Sequence, residues 1–169
     1  MLDLAADALI YSTNVLLNCT GGVGSCLLER YGNQVQSDLH LLLKDRGLKY
    51  ADQGMAFQHV TDGMPYKRLY HAVPCDGFYD TTEEIVATVL RKCLSGCVEA
   101  VDVKSVALSA LATGYGHLGL DEFLRIASSV LAEPEFLALQ TVTICLDDEV
   151  SYGLARDQIA EEMLALLVV

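Results

Sequence analysis

Ser105-Val-Ala-Leu-Ser-Ala-Leu-Ala-Thr-Gly-Tyr-Gly-His-Leu-Gly119 reads as a buried strand that runs into a glycine loop and opens a helix. Val106, Leu108 and Leu111, separated by small residues, suit a strand covered on both faces. Gly114 and Gly116 let the backbone turn its amides inward with no Cβ in the way. Successive N–H groups at such a joint, backed by the positive end of the following helix, favour a phosphate or diphosphate without any Lys or Arg. The same glycines also serve a plain tight turn, so the loop on its own leaves both readings open.

Working outward, a second glycine cluster, Gly21-Gly-Val-Gly24, closes a loop over 14–24 that follows a strand over 7–13, Asp-Ala-Leu-Ile-Tyr-Ser-Thr. Residues 25–47 carry apolar side chains at helical spacing, with a break near Gly32-Asn33. Segments 54–60 and 67–73 alternate as strands, joined through the turn Asp62-Gly-Met-Pro65, which predicts a hairpin. Residues 74–80 form a loop. Thr81-Thr-Glu-Glu84 offers an N-cap and first-turn acids for an amphipathic helix over 85–101. A helix over 120–132, a strand over 141–146 and a last helix over 150–167 complete the chain. The order β-α-β-β-α-β-α-β-α predicts an α/β fold of three layers, helices covering both faces of a mixed sheet. Ligands in such sheets sit beyond the carboxyl ends of the strands, and both glycine loops leave such ends, so both are expected at one rim.

The 169 residues, 52% hydrophobic with three prolines, suit a single domain over 1–169 with one well-buried core. The longest apolar runs are too short to span a bilayer, so a soluble protein is expected. Met1-Leu-Asp-Leu-Ala-Ala-Asp7 has acids where a secretion signal has a basic and then apolar stretch, which predicts a cytoplasmic or nuclear location. A formal net charge of −12 repels polyanions, and no basic stripe offsets it, so general nucleic-acid binding is not expected. The six cysteines sit mostly in apolar segments and read as reduced, buried hydrophobes. Cys93 and Cys97 share a helix face but lack a second pair at matching spacing, so no metal and no cofactor are expected.

Four separated motifs resemble the macro domain family, an ADP-ribose-binding fold of α/β/α layers. Asp7-Ala-Leu-Ile-Tyr-Ser-Thr-Asn14 stands where that family has Asp-Ala-Ile-Val-Asn-Ala-Ala-Asn, and Gly21-Gly-Val23 matches its first phosphate loop. Tyr70-His-Ala-Val73 matches a strand, and Ser105 to Gly116 the strand that enters its second phosphate loop. The resemblance runs from about Asp7 to the C-terminal helix. It implies ligand contacts from Asn14 to the distal ribose, from Ser109 and Ala110, and from Gly21, Gly22, Val23, Gly24, Thr113, Gly114, Tyr115 and Gly116, whose amides cradle the diphosphate. Tyr115 is expected over the distal ribose. The partner implied is ADP-ribose, free or on a protein. The sequence is silent on oligomeric state.

Three departures bear on activity. The family's first strand, whose acid meets adenine, is absent or truncated, with Asp3 a possible stand-in; a surface acid is the plain alternative. Tyr11 replaces the first Asn of the family motif and also suits packing at a strand end. Gly24 occupies the position of the Asp that the hydrolase branch uses to activate water, so Gly24→Asp is expected to restore that acid while keeping the pocket. The glutamate pair of the poly(ADP-ribose) glycohydrolases is also missing. His117 is a candidate base, and an exposed loop histidine without a task is its alternative. His71 reads as a core histidine, and Asp76 and Asp80 as turn acids near the rim. Binding is therefore the expected function, with ADP-ribosyl hydrolysis or O-acetyl-ADP-ribose deacetylation, and a ligand-free interaction module, as alternatives.

Overall fold

A computed structural model describes residues 1–146 and Gly153. In chain order the elements are β1 (Ala8–Ser12), α1 (Gly22–Tyr31), α2 (Gln34–Asp45), β2 (Ala56–Gln58) and β3 (Arg68–Ala72). They are followed by α3 (Glu83–Glu99), β4 (Ser105–Ser109), α4 (Leu120–Leu131), a 3-10 turn (Pro134–Ala138) and β5 (Thr141–Cys145). The helix expected over 150–167 lies outside the described residues, among which no helix is long and apolar enough to cross a membrane.

Side chains alternate in sign of direction along each strand, and both directions are apolar, which is what a sheet covered on two faces requires. Ala8, Ile10, Tyr70, Ala72, Val106 and Leu108 point to one face and pack with Val86, Leu90 and Leu94 of α3 and Phe123 and Ala127 of α4. Leu9, Tyr11, Phe57, Leu69 and Ala107 point to the other, with Leu27 of α1 and Val35, Leu39 and Leu43 of α2. The strands lie in the order β2-β3-β1-β4-β5. Only the β2–β3 pair is antiparallel, with Phe57 opposite His71, while β1, β3, β4 and β5 run parallel. This is the expected three-layer α/β/α architecture with a mixed sheet, including the β2–β3 hairpin.

Local signals set most boundaries. Gly32, at φ 81°, donates its N–H to the Leu28 carbonyl at 2.9 Å and ends α1, a geometry open to glycine at little cost. Thr82 caps α3, its hydroxyl accepting the Ile85 N–H at 3.3 Å. Most boundaries fall within two residues of expectation, and the start of α1 differs by more. The loop after β1 ends at Gly21, because Gly22, Val23 and Gly24 already form the first turn of α1.

The parallel strands are pinned at their amino ends by one carboxylate. Asp7 Oδ2 accepts the N–H groups of Lys104 (2.8 Å) and Ser105 (3.0 Å) and the Ser105 hydroxyl (3.0 Å). Its Oδ1 pairs with Lys67 Nζ at 2.8 Å, and its carbonyl accepts the Lys67 N–H at 2.7 Å. The Lys67 ammonium first, then the donors of Lys104 and Ser105, hold this carboxyl well below the usual carboxylate range. Deeper in the sheet, His71 is fully buried. Its Nε2 faces the His59 carbonyl at 3.3 Å, which can only accept, so Nδ1 is the bare nitrogen that accepts the Tyr11 hydroxyl at 2.7 Å. Burial pushes the His71 pKa down to about 3.

Both groups make the fold acid-sensitive, in different windows. The unfolded chain takes a proton on His71 near pH 6.5 and the native state only near pH 3, so stability falls as pH drops through that interval. The Asp7 contribution is present above its unfolded pKa and is lost as pH falls below about 4. Chemical denaturation from pH 7 to pH 4 is expected to show declining stability, with His71→Gln flattening the slope. Asp7→Asn is expected to cost about 1–3 kcal/mol at pH 7, the worth of hydrogen bonds to a charged group.

Candidate functional site

The pinned amino ends leave the carboxyl ends of β1, β3, β4 and β5 at one rim, and there the structure opens a cleft of about 1190 Å³. Asn14, Gly21, Gly22 and Val23 line it from one side, and Ser109, Ala110, Thr113, Gly114, Tyr115 and Gly116 from the other. Two expected residues are not in the lining. Gly24 is buried in α1, where a Cβ would come within 3.2 Å of Cys19 Cα and 3.7 Å of the Tyr11 ring. Its Cα side faces the core, so an acid placed there points away from the cleft, contrary to the expectation that Gly24→Asp would restore a water-activating carboxylate. His117 stands outside the lining, exposed, with Nδ1 3.1 Å from Asp80 Oδ1.

The first loop is built around Asn14. Its Oδ1 accepts the N–H groups of Leu16 and Asn18, both at 3.1 Å, while its Nδ2 donates to the Asn18 carbonyl (2.9 Å) and Thr20 Oγ1 (3.2 Å). Those four bonds use the full capacity of the amide, so its side chain shapes the loop instead of reaching out from it. Leu17, at φ 53°, is driven fully into the core, and Gln36 accepts the Cys19 N–H at 2.7 Å and donates to the Leu17 carbonyl at 3.0 Å. The loop thus delivers the chain to the N-terminus of α1, whose first amides, those of Gly22, Val23 and Gly24, find no acceptor within the helix.

The second loop is equally fixed. Ala112 takes φ 65°, and its N–H donates to Ser12 Oγ at 3.2 Å. Any Cβ at Gly116 would strike the Ala112 carbonyl oxygen, with Cys75 Sγ 2.8 Å away, so only glycine fits. Gly114 is different: a Cβ there would meet nothing within 4 Å. The amides of Thr113, Gly114, Tyr115 and Gly116 donate to no backbone carbonyl among the described residues. The loops also touch. Tyr115 lies over Gly21, so that a Gly21 Cβ would fall 2.6 Å from its Cε2, and its ring packs against Tyr79 at 5.8 Å.

Charge in the cleft comes mostly from these peptide dipoles. Among the described residues one cationic side chain, Arg30, lines it, and Arg30 is committed to Asp3 Oδ1 at 2.7 Å and the Leu2 carbonyl at 2.9 Å. Asp3, Glu29 and Asp76 also line the cleft. Burial first, then Asp76 and Asp80, pushes the Cys75 thiol up to about 11, so at neutral pH it is protonated and a poor nucleophile. Tyr11 is buried with His71 and contributes to the floor of the fold, not to the lining.

Sequence reasoning missed the face of α1 that continues the cleft, Cys26, Glu29 and Arg30, and the aromatic Tyr79. The spacing of Val23, Cys26 and Arg30 along one helical face was the available signal for the first set. Position beyond the carboxyl end of β3 was the signal for the second.

Comparison with known proteins agrees with this geometry. No curated protein matches the chain at a significant level. Solved structures do. An Oceanobacillus iheyensis macrodomain with MES bound superposes with a TM-score of 0.84 at 16% identity, covering 97% of this chain and 88% of that one. The same organism's macrodomain with ADP gives 0.81 at 17% identity, covering 95% and 86%. A Trypanosoma brucei macrodomain in complex with ADP-ribose gives 0.75 at 19% identity, covering 94% and 65%. At such identities the likeness speaks for the fold. The model of the Macro domain family matches residues 10–127, a span that contains both glycine loops, β4 and the carboxyl end of β1, and the chain belongs to the Macro domain family.

Proposed function

We propose that this chain binds ADP-ribose, free or attached to a protein, in the cleft between the two glycine loops. The observation that carries the reading is the facing pair of amide sets. The first turn of α1 and the stretch from Thr113 to Gly116 present donors from opposite sides of one cleft, in which the single cationic side chain among the described residues is already paired. A diphosphate, with oxygens on both sides, suits that arrangement. A ligand held in this way lies beneath Tyr115, with its distal ribose against the Tyr79–Tyr115 end and its adenine toward Asp3 and Leu146. Asn14 acts as a positioning residue that keeps the first loop in shape.

Binding is favoured over hydrolysis by what surrounds the diphosphate. Gly24, at the place of the hydrolase acid, faces the core, and His117 is paired with Asp80 outside the lining. Calorimetry is expected to give 1:1 binding of ADP-ribose, with AMP weaker by at least about tenfold for the loss of one phosphate's charge-assisted bonds. Equal affinities would overturn the two-loop reading. Gly114→Asp, in open space, is expected to keep the thermal midpoint and abolish binding. Gly24→Asp is expected to lower stability by about 2–4 kcal/mol, from a buried charge against the Cys19 backbone, and to gain no hydrolysis. Release of ADP-ribose from a modified protein by the wild type, lost on His117→Ala, would replace the binder with an enzyme.

A further inference from the structure

The mouth of the cleft carries more aromatic surface than holding ADP-ribose uses, since Phe78 lies outside the lining that Tyr79 and Tyr115 share. Phe78 is 82% exposed, Tyr115 68% and Tyr79 45%, and the last two stack against each other at 5.8 Å. Large aromatics held out in water are costly unless something covers them. The backbone that carries Phe78 is fixed. Asp76 Oδ1 accepts the N–H groups of Phe78 (2.8 Å) and Asp80 (3.0 Å), and the Asp76 N–H donates to the Asp80 carbonyl at 3.0 Å. Gln53 Nε2 donates to the same carbonyl at 2.6 Å. Tyr79 takes φ 69° within this turn. A ring presented from a backbone already fixed in this way costs no ordering of the loop on contact.

The charges around it have one predominant sign. From Pro74 to Glu84 the chain carries Asp76, Asp80, Glu83 and Glu84 and no Lys or Arg. Facing groups offset this in part: His117 lies on Asp80, and Arg125 on Glu83 at 3.1 Å, while Asp121 and Glu122 add acids at the start of α4. The molecule as a whole is at −12. Aromatic faces next to carboxylates suit Lys and Arg side chains, which gain from both, and repel the phosphates of a nucleic acid.

We infer that the ledge of Phe78, Tyr79 and Tyr115, with Asp76, Asp80, Glu83 and Glu84 beside it, receives the polypeptide to which ADP-ribose is attached, and selects acceptors whose flanking residues are Lys or Arg. This rests on the reading of the cleft as an ADP-ribose site, with the distal ribose, the point of attachment, at the Tyr79–Tyr115 end. Free ADP-ribose then fills the cleft alone, and a basic flanking segment adds contacts outside it.

The test uses four probes on the full chain: free ADP-ribose, two peptides mono-ADP-ribosylated through the same serine linkage and flanked by Lys/Arg or by Asp/Glu, and an ADP-ribosylated DNA oligonucleotide. The basic peptide is expected to bind at least about threefold tighter than free ADP-ribose, and the acidic peptide and the oligonucleotide more weakly than free ADP-ribose. The preference is expected to shrink as salt rises. Phe78→Ala, outside the cleft lining, is expected to bring the basic peptide to the level of free ADP-ribose while leaving free ADP-ribose affinity and the melting temperature unchanged. Equal binding of the two peptides, tighter binding of the oligonucleotide, or a preference that survives Phe78→Ala would overturn the inference. Failure of free ADP-ribose itself to bind the folded chain is a distinct result, and it would remove the cleft reading together with the inference.

Discussion

One carboxylate holds the amino ends of three strands together. Parallel neighbours cannot be joined by a short turn and must find each other after long crossovers, so their register needs a fixed reference. Asp7 supplies it by joining the Lys67 side, where β3 begins, to Lys104 and Ser105, where β4 begins. β1, β3 and β4 are of equal length, β3 starts level with β1 and β4 one residue ahead of it, so their ends fall within one residue of each other. The loops that leave them therefore emerge side by side, and Ser12 at the end of β1 can hold Ala112 beyond the end of β4.

The two cores divide the work around that frame. The α3 and α4 side is the larger and is almost wholly apolar. The α1 and α2 side contains the Tyr11–His71 pair and borders the first loop, which hangs on Asn14, Gln36 and buried Leu17. The stiffness of that loop has a direct electrostatic use: donors that are already aimed lose little on receiving an anion.

The fold was legible because its main signals are local. Alternation with both faces apolar marked β1, β3 and β4, Gly32 marked the break between α1 and α2, and Thr82 the start of α3. The two glycine loops announced the cleft for the same reason. What could not be read was direction. Whether Gly24 turns its Cα hydrogen to the cleft or to Cys19 depends on the phase of α1, which begins three residues earlier than the glycine pattern implied. The family resemblance implied that Asn14 reaches outward to the distal ribose, yet its four bonds close on its own loop. The part played by Tyr79 depends on a turn geometry at φ 69° that sequence patterns rarely reveal for a tyrosine.

The contact of Tyr115 with Gly21 makes the cleft a collar and not an open trough. A molecule with bulky groups at both ends and a narrow middle, lying under that ring, is retained mechanically as well as by its bonds. Entry and departure then require the ring to swing aside, a rotation about the side-chain torsions of one exposed residue. The rates of arrival and of departure then both follow how often that swing occurs, so changes at Tyr115 act on the kinetics of such a complex in both directions. Packing of Tyr79 against the same ring sets the resistance to the swing, and a polypeptide resting on both rings would hold the collar shut.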